Sequence, residues 1–389
     1  MSGPNGGSPD AVRAFNRARV LAAVTAGAAT SRGEVGQVTG LSRSTVTALV
    51  LDLIDAGELV EDVGGVGADG PGRPTRRLRP APRTDLVVAV DLGHSHCRVG
   101  VVDPSGTVLV EDNVAIDVDS SADHALARAL RMIDTLLDSV PRDRVSAGGL
   151  GLPAPVDIRS GSIGEGNVLP RWLGRQPAEE LEVATGIRFE VDNDANLGAL
   201  AEAMWGAARG VRDLIYVKAS TGIGAGLMLG GRIHHGAAGR AGEIGHVPVD
   251  PSGPVCRCGN RGCLETAASV SQVLSALRPR QGDALTLGGV LELVARSDAG
   301  AVRVVSDAGR MIGRVLADVV NSLNPEQIVL GGELAGAGAC LIDAVRESIH
   351  RYAQPGIARD LRVDLGALGA RSELLGAAAL ALTTGIPSV

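Results

Sequence analysis

"CRCGNRGCLE", residues 256–265, places three of the chain's five cysteines within eight positions. Cys256, Cys258 and Cys263 form C-x-C-x4-C, and a fourth donor, His246 in "GEIGHVP", stands ten residues upstream. Three thiolates and one imidazole make a closed tetrahedral zinc set, which leaves no coordination position open for catalysis. Gly259 and Gly262 let so short a loop fold back on itself. The loop has little apolar content and would take its order from the metal. The plainer reading, three unconnected small thiols, does not account for their density. Cys97 and Cys340, far from the cluster, read as buried small residues.

Outward from this loop, 389 residues allow two or three domains. No apolar run opens the sequence or reaches membrane-spanning length, so the expected compartment is the cytoplasm, where clustered cysteines bind metal in preference to pairing. Residues 1–84 carry 10 arginines against 8 carboxylates, net +2, and the remainder is net −9. A basic segment on an acidic body points to a local nucleic-acid contact. Aromatic residues are 2% of the chain, too few to stack on a single strand. Lys218 is the only lysine, so phosphate contacts fall to arginine and to backbone N–H groups.

Residues 1–10 read as a disordered tail, rich in Gly, Pro, Ser and Asn. Residues 11–80 read as a winged helix-turn-helix. "RARVLAAVTAG" puts Val20, Leu21 and Val24 on one face, and a second helix runs from Ser31 as N-cap to Gly40. In "LSRSTVTALVLDLIDAG" an apolar stripe of Val46, Leu49, Val50, Leu53 and Ile54 follows Ser42 as N-cap. In such a motif the third helix enters the major groove of double-stranded operator DNA. Its outward residues are Ser42, Arg43, Ser44, Thr45 and Thr47, with Arg43 suited to a guanine edge and the hydroxyls to phosphate. Arg73, Arg76 and Arg77 follow the Gly-rich wing tip and would reach phosphate or the minor groove. A small helical protein-docking module is the alternative for this segment.

From Thr84 strands and helices alternate, an α/β plan with a mixed sheet. "VDNDANLGALAEAMWG" sets Asn193, Asp194 and Asn196 where a strand gives way to a helix. A carboxylate there is held ionised by the helix terminus and suits a base; a simple N-cap is the plainer reading. Three glycine turns follow strands: Asp91 and Gly93; Thr221, Gly222 and Gly224; Gly331 and Gly332. Each allows close backbone approach to phosphate. The chain has neither a Walker A lysine nor G-x-G-x-x-G at its first turn, which excludes the P-loop and dinucleotide fingerprints.

As a set, "GLPAPVD", "GNVLPRW", "DNDAN", "STGIGAG", "GEIGH…CRCGNRGCLE" and "IVLGGEL" resemble the signature of the ROK family (repressors, open reading frames, sugar kinases), over about residues 85–385. The resemblance implies an actin-like (ribonuclease H-like) two-lobed α/β domain. Residues 84–195 plus 373–389 would form the smaller lobe, and 196–372 the larger lobe with the zinc loop. The N-terminal winged helix marks the family's repressor branch. By matched position, Asn167, Asn193, Asp194, Glu243, His246 and Glu265 would hold sugar hydroxyls, with His246 also on zinc. Asp194 would be the base of a kinase. ATP and Mg, if bound, would meet Asp91, Gly93, Thr221, Gly222, Gly224, Gly331 and Gly332. Two departures speak against nucleotide. His94 replaces a glycine of the family's first phosphate turn and should crowd it, and Glu333 adds negative charge where kinases carry glycine. The expected protein is a sugar-responsive regulator, most simply a repressor, acting as a homodimer or homotetramer with a sugar or sugar-phosphate effector. An ATP-dependent sugar kinase is the alternative.

Overall fold

A computed structural model describes residues 9–25, 27–55, 58–63, 76–80, 85–157, 159–164 and 168–383. The chain divides into two compact units, Met1–Thr84 with Thr383–Val389, and Asp85–Leu382.

In the first unit, α1 (Pro9–Thr25), α2 (Arg32–Thr39) and α3 (Arg43–Asp55) precede an antiparallel pair, β1 (Leu59–Val63) and β2 (Arg76–Pro80). α1 begins two residues inside the expected tail, because a proline at the first helical turn loses no intrahelical hydrogen bond. Ser31 caps α2 by accepting from the Glu34 N–H at 3.3 Å, and Gly40 ends it at φ +70°. The stripe read from the sequence is the core: Val46, Leu49, Val50 and Leu53 pack on Val20, Leu21, Val24 and Val35. Leu78 of β2 joins them, while Arg77 and Arg79 point to the opposite face, as strand alternation requires, and Arg76 is exposed at the start of the strand. Arg73 and the wing tip lie outside the described residues.

The second unit holds two five-stranded sheets where the sequence suggested one mixed sheet. The first is built from β3 (Leu86–Gly93), β4 (His96–Val102), β5 (Val108–Ala115), β6 (Val145–Leu152) and β7 (Phe189–Asn193), with α4 (Ala122–Leu137) and α5 (Pro177–Thr185) between strands. Its order is β5-β4-β3-β6-β7. Next come α6 (Asp194–Met204), β8 (Leu214–Ala219), β9 (Ile223–Leu229) and β10 (Arg232–Ile233). α7 (Glu265–Ala268), α8 (Val270–Gln281), α9 (Leu287–Ala295) and α10 (Ala299–Leu323) lead to β11 (Gln327–Gly331). α11 (Ala339–Tyr352), α12 (Pro355–Asp360), β12 (Arg362–Leu365) and α13 (Ser372–Thr383) end the unit. The second sheet runs β10-β9-β8-β11-β12. Each sheet is an antiparallel three-strand meander extended by two parallel strands, so one plan occurs twice. This is the actin-like, two-lobed α/β architecture. "AGLMLGGRI", which reads as continuous strand, breaks into a hairpin because Gly230 and Gly231 take φ +61° and +83°.

β3 is buried along its whole length. α4 covers one face of the first sheet, and α13 the other, against Val87, Ala89 and Val102. The same cluster takes in Leu197 and Ala201 of α6. α6 therefore packs under α13 while its first residue opens into the cleft. Among the described residues, no helix is long and apolar enough to cross a membrane.

Candidate functional site

Strand ends and turns of the second unit enclose a cavity of about 300 Å³. At its centre β7 passes directly into α6. Asn193 caps the helix, accepting from the Ala195 N–H at 2.9 Å while its Nδ2 donates to the Ala154 carbonyl at 3.3 Å. The N-cap reading thus belongs to Asn193, and it fixes Asp194 at the first helical position. Both oxygens of Asp194 are engaged: Oδ1 accepts from the Ala195 N–H at 2.8 Å, and Oδ2 from Lys218 Nζ at 2.8 Å. Lys218 Nζ is also 3.6 Å from Glu373 Oε1 at the start of α13. Burial works against an ammonium here, but Asp194, Glu373 and Asp91 together outweigh it and raise the pKa of Lys218 far above its ordinary value. Neither Lys218 nor Glu373 was singled out as a site residue from the sequence. The available signal was one lysine in 389 residues, set on a strand just before a glycine-rich turn.

At the other end, His96 Nε2 lies 2.9 Å from Asp91 Oδ2. Asp91 Oδ1 is buried without a protein partner. Burial would raise the pKa of Asp91, but the hydrogen bond and charge of His96 prevail and lower it; burial would lower the pKa of His96, and Asp91 raises it. His94 lines the cavity with its ring turned to Asp119, Nδ1 to Oδ1 2.7 Å. Gly93 pairs with His96 across the β3–β4 hairpin, so the His96 ring covers Gly93, and a Cβ there would meet Cε1 at 2.2 Å. Glu333 Oε2 accepts from Ser220 Oγ at 2.7 Å, which ties the β8–β9 turn to the turn after β11. Gly331 and Gly332 also have packing reasons to be glycine. A Cβ on Gly331 would stand 2.0 Å from Tyr216 Oη, and Gly332 has φ +76° with its Cβ position 2.5 Å from the Ala219 carbonyl. Thr221, Gly222 and Gly224 line the cavity between these turns.

Glu243, His246 and Glu265 stand on the remaining wall. Glu265 is held by Arg257 Nε at 2.9 Å and by the Ile223 N–H at 3.2 Å. Burial, then Asp194 and Glu265, push Glu243 up to about 7. Asn167 lies outside the described residues.

His246 Nδ1 faces the cysteines, 3.6 Å from Cys256 Sγ, and its Nε2 faces Glu243, 3.5 Å from Oε2. Cys258 Sγ and Cys263 Sγ are 3.7 Å apart, and all four donor atoms fall within 4.8 Å of one another. These spacings match the edges of a tetrahedron with thiolate arms of about 2.3 Å, so the donor set fits zinc. Cys256 and Cys263 are buried, as a structural site requires. When bound, the metal would hold three deprotonated thiols and one neutral imidazole.

In the first unit Ser42, Arg43, Ser44 and Thr47 are exposed on the outer side of α3 and Thr45 is half-buried. Ser42 Oγ accepts from the Thr45 N–H at 3.2 Å, so part of its capacity caps the helix. Arg76 pairs with Glu61 at 3.3 Å, as Arg32 does at 2.8 Å; Arg77 is exposed.

Residues 87–384 match the ROK family. The DNA-binding transcriptional dual regulator NagC of Escherichia coli (strain K12) is 31% identical over 385 residues, 95% of this chain and 92% of its own. The crystal structure of a ROK family transcriptional regulator, a homolog of the E. coli MLC protein, matches with a TM-score of 0.79 at 27% identity, over 95% of each chain. A ROK family glucokinase from Streptomyces griseus, in complex with glucose and AMPPNP, matches with a TM-score of 0.69 at 28% identity, over 77% of this chain and 99% of its own. With the family match running from the second residue of β3 to the end of α13, and with the cysteine loop and glycine turns set around one cleft, the chain belongs to the ROK family.

Proposed function

We propose that this chain is a sugar-responsive transcriptional regulator, a repressor that binds double-stranded operator DNA through its first unit and a sugar or sugar derivative in the cleft of its second. One observation carries the reading. The similarity to the regulators extends over 95% of the chain and takes in the helical first unit, whereas the glucokinase covers 77%. The exposed side of α3, with Arg43 among short hydroxyl side chains, is the surface for base edges and phosphates, and Arg73, Arg76 and Arg77 are its wing contacts. In the cleft, Asn193, Asp194, Glu243, His246 and Glu265, with Asn167, are the hydroxyl partners. His246 serves both sites: with Nδ1 on zinc, its Nε2–H is left as a donor toward the cavity. In this proposal residues 84–195 with 373–389 form one lobe and residues 196–372 the other, and the two close on each other when sugar binds. A homodimer in the cytoplasm, reading a two-fold operator, completes the proposal. A gel shift against DNA fragments, including the one upstream of the chain's own gene, with and without sugars, is the test. Equal binding to every fragment would sink it.

A second reading, an ATP-dependent sugar kinase, draws on Asp194, on the turn from Thr221 to Gly224, and on the relative solved with glucose and AMPPNP. Against it stand the Lys218–Asp194 ion pair, the His96 ring on Gly93 and Glu333 at the phosphate end. A coupled ADP-release assay over common hexoses and amino sugars decides between them; turnover of about 1–100 per second would favour the kinase.

A further inference from the structure

The only lysine of the chain is shared between two buried carboxylates, Asp194 and Glu373. Its side chain is 14% exposed at the cavity wall, that of Asp194 11% and that of Glu373 8%, so the ammonium is largely shielded from water. A buried ammonium that loses one partner must find another or face the cost of an unpaired charge. Here the second partner is already in place. Lys218 Nζ is 2.8 Å from Asp194 Oδ2 and 3.6 Å from Glu373 Oε1, so less than an ångström of approach converts one ion pair into the other. The two carboxylates sit on different helices. Asp194 opens α6 at the cleft, and Glu373 lies in the first turn of α13, which packs on the first sheet. Tyr216 Oη donates to Glu373 at 3.3 Å, so Glu373 already has a fixed position from which to receive the ammonium. Glu202, further along α6, accepts from the N–H groups of Ala367 and Leu368, each at 3.1 Å, in the segment leading into α13. α6 thus grips the approach to α13 while Lys218 stands between their two carboxylates.

Asp194 takes the Ala195 N–H on Oδ1 and Lys218 on Oδ2, which leaves about two of a carboxylate's four acceptor positions; a hydroxyl that donates to Oδ2 competes with the ammonium for the charge of that oxygen. The geometry points to Lys218 as the residue that senses this event: a sugar hydroxyl on Asp194 Oδ2 moves the ammonium onto Glu373, and occupancy of the cleft is passed to α13. This rests on the sugar reading of the cleft, and it adds the residue that reports binding. The relay needs no proton transfer, only the exchange of one carboxylate partner for another.

Because Lys218 is the sole lysine, full-length protein grown on 13C,15N-lysine carries one labelled residue and gives one εCH2 signal in a heteronuclear spectrum. Three variants are compared with the wild type: Asp194→Asn, Glu373→Gln and the double variant, each checked for folding by circular dichroism. In D194N the signal moves, yet Lys218 still resists acetylation by an N-hydroxysuccinimide ester, because Glu373 retains it. In the double variant acetylation is faster by about tenfold or more, which corresponds to about 1.4 kcal/mol of lost pairing. D194N protein as reactive as the double variant overturns the relay, and so does a D194N signal unchanged from wild type. The wild-type arm stays decisive even where a variant fails to fold. Glucose, other aldohexoses and N-acetyl amino sugars are titrated while the thermal midpoint and the lysine signal are followed. A sugar that raises the midpoint and shifts the signal supports the relay. A sugar that raises the midpoint and leaves the signal still overturns the relay and spares the sugar reading. A panel with no stabilising sugar overturns the reading and the trigger together.

Discussion

His96 Nε2 stands 2.9 Å from Asp91 Oδ2, on the antiparallel pair of β3 and β4. Each partner shifts the other, with Asp91 lowered and His96 raised. For His96, the stabilisation is complete below the ordinary imidazole value of about 6.5 and is lost as pH rises through the raised folded value. For Asp91 it is complete above about 3.9 and is lost as pH falls through the lowered one. The pair therefore stabilises most between about pH 4 and 6.5. His96→Gln should cost about 1 kcal/mol there, a modest figure because a third of the ring's side chain remains exposed. The gap in thermal midpoint between wild type and H96Q should narrow as pH rises from about 6 to 9. A gap that widens over that range contradicts the assignment.

Cys258→Ser removes one of four converging donors. Metal analysis of the wild type should find close to one zinc per chain, and of the variant well below that, with a lower thermal midpoint because the loop has little core of its own. Cys97→Ser, at a buried thiol on β4 far from the cluster in sequence, serves as the control and should keep full metal. Full occupancy in C258S would show that the cysteines do not act as a set.

How far the sequence carries the site depends on the kind of constraint. The zinc donors were legible because a closed tetrahedral set demands fixed chemistry at short spacing, and His246, Cys256, Cys258 and Cys263 do converge. Asn193 and Asp194 were legible because a strand-to-helix junction needs a cap. The helices of the first unit followed from their 3.6-residue apolar stripes. What could not be read were partnerships between residues far apart in the chain. Lys218 meets Glu373 across more than 150 positions, and no local pattern encodes that meeting. His94 and His96 show the same limit at short range. Both sit near one turn, and hairpin register alone decides that the second covers Gly93 while the first turns to Asp119. The two sheets share strand order without a sequence repeat, because the order is fixed by connections and not by residues.

Arg43 is exposed at the start of α3, beside Ser42, whose Oγ caps the helix. Arg43→Ala should weaken operator binding by about 1–3 kcal/mol and relax preference at one base pair, as loss of a bidentate base contact does. Arg32, held by Glu61 at 2.8 Å and 2.9 Å, is the comparison, and its replacement should change base preference little. Fluorescence anisotropy with the operator and with single-base variants measures both. Equal loss across all sequences for R43A would move Arg43 from base reading to phosphate contact.

Gly149 and Gly376 mark how closely α13 lies on the rest of its unit. A Cβ on Gly149 of β6 would stand 1.9 Å from the Ala377 carbonyl, and one on Gly376 of α13 would stand 2.1 Å from the Leu197 carbonyl of α6. Both obstacles are backbone, so neither can rotate aside as a side chain would. Gly149→Ala must therefore push α13 off the first sheet, opening a cluster that includes Leu374, Ala377 and Ala378. The expected cost is about 1–3 kcal/mol or more, read as a lower denaturation midpoint in urea. The displacement should also reach the cleft, because Glu373 rides on the same helix and faces Lys218. In G149A the single lysine signal should shift even without sugar, whereas a destabilising change in the first unit, Val50→Ala, should leave it in place. A G149A protein with wild-type stability would mean that α13 does not pack on β6 as described.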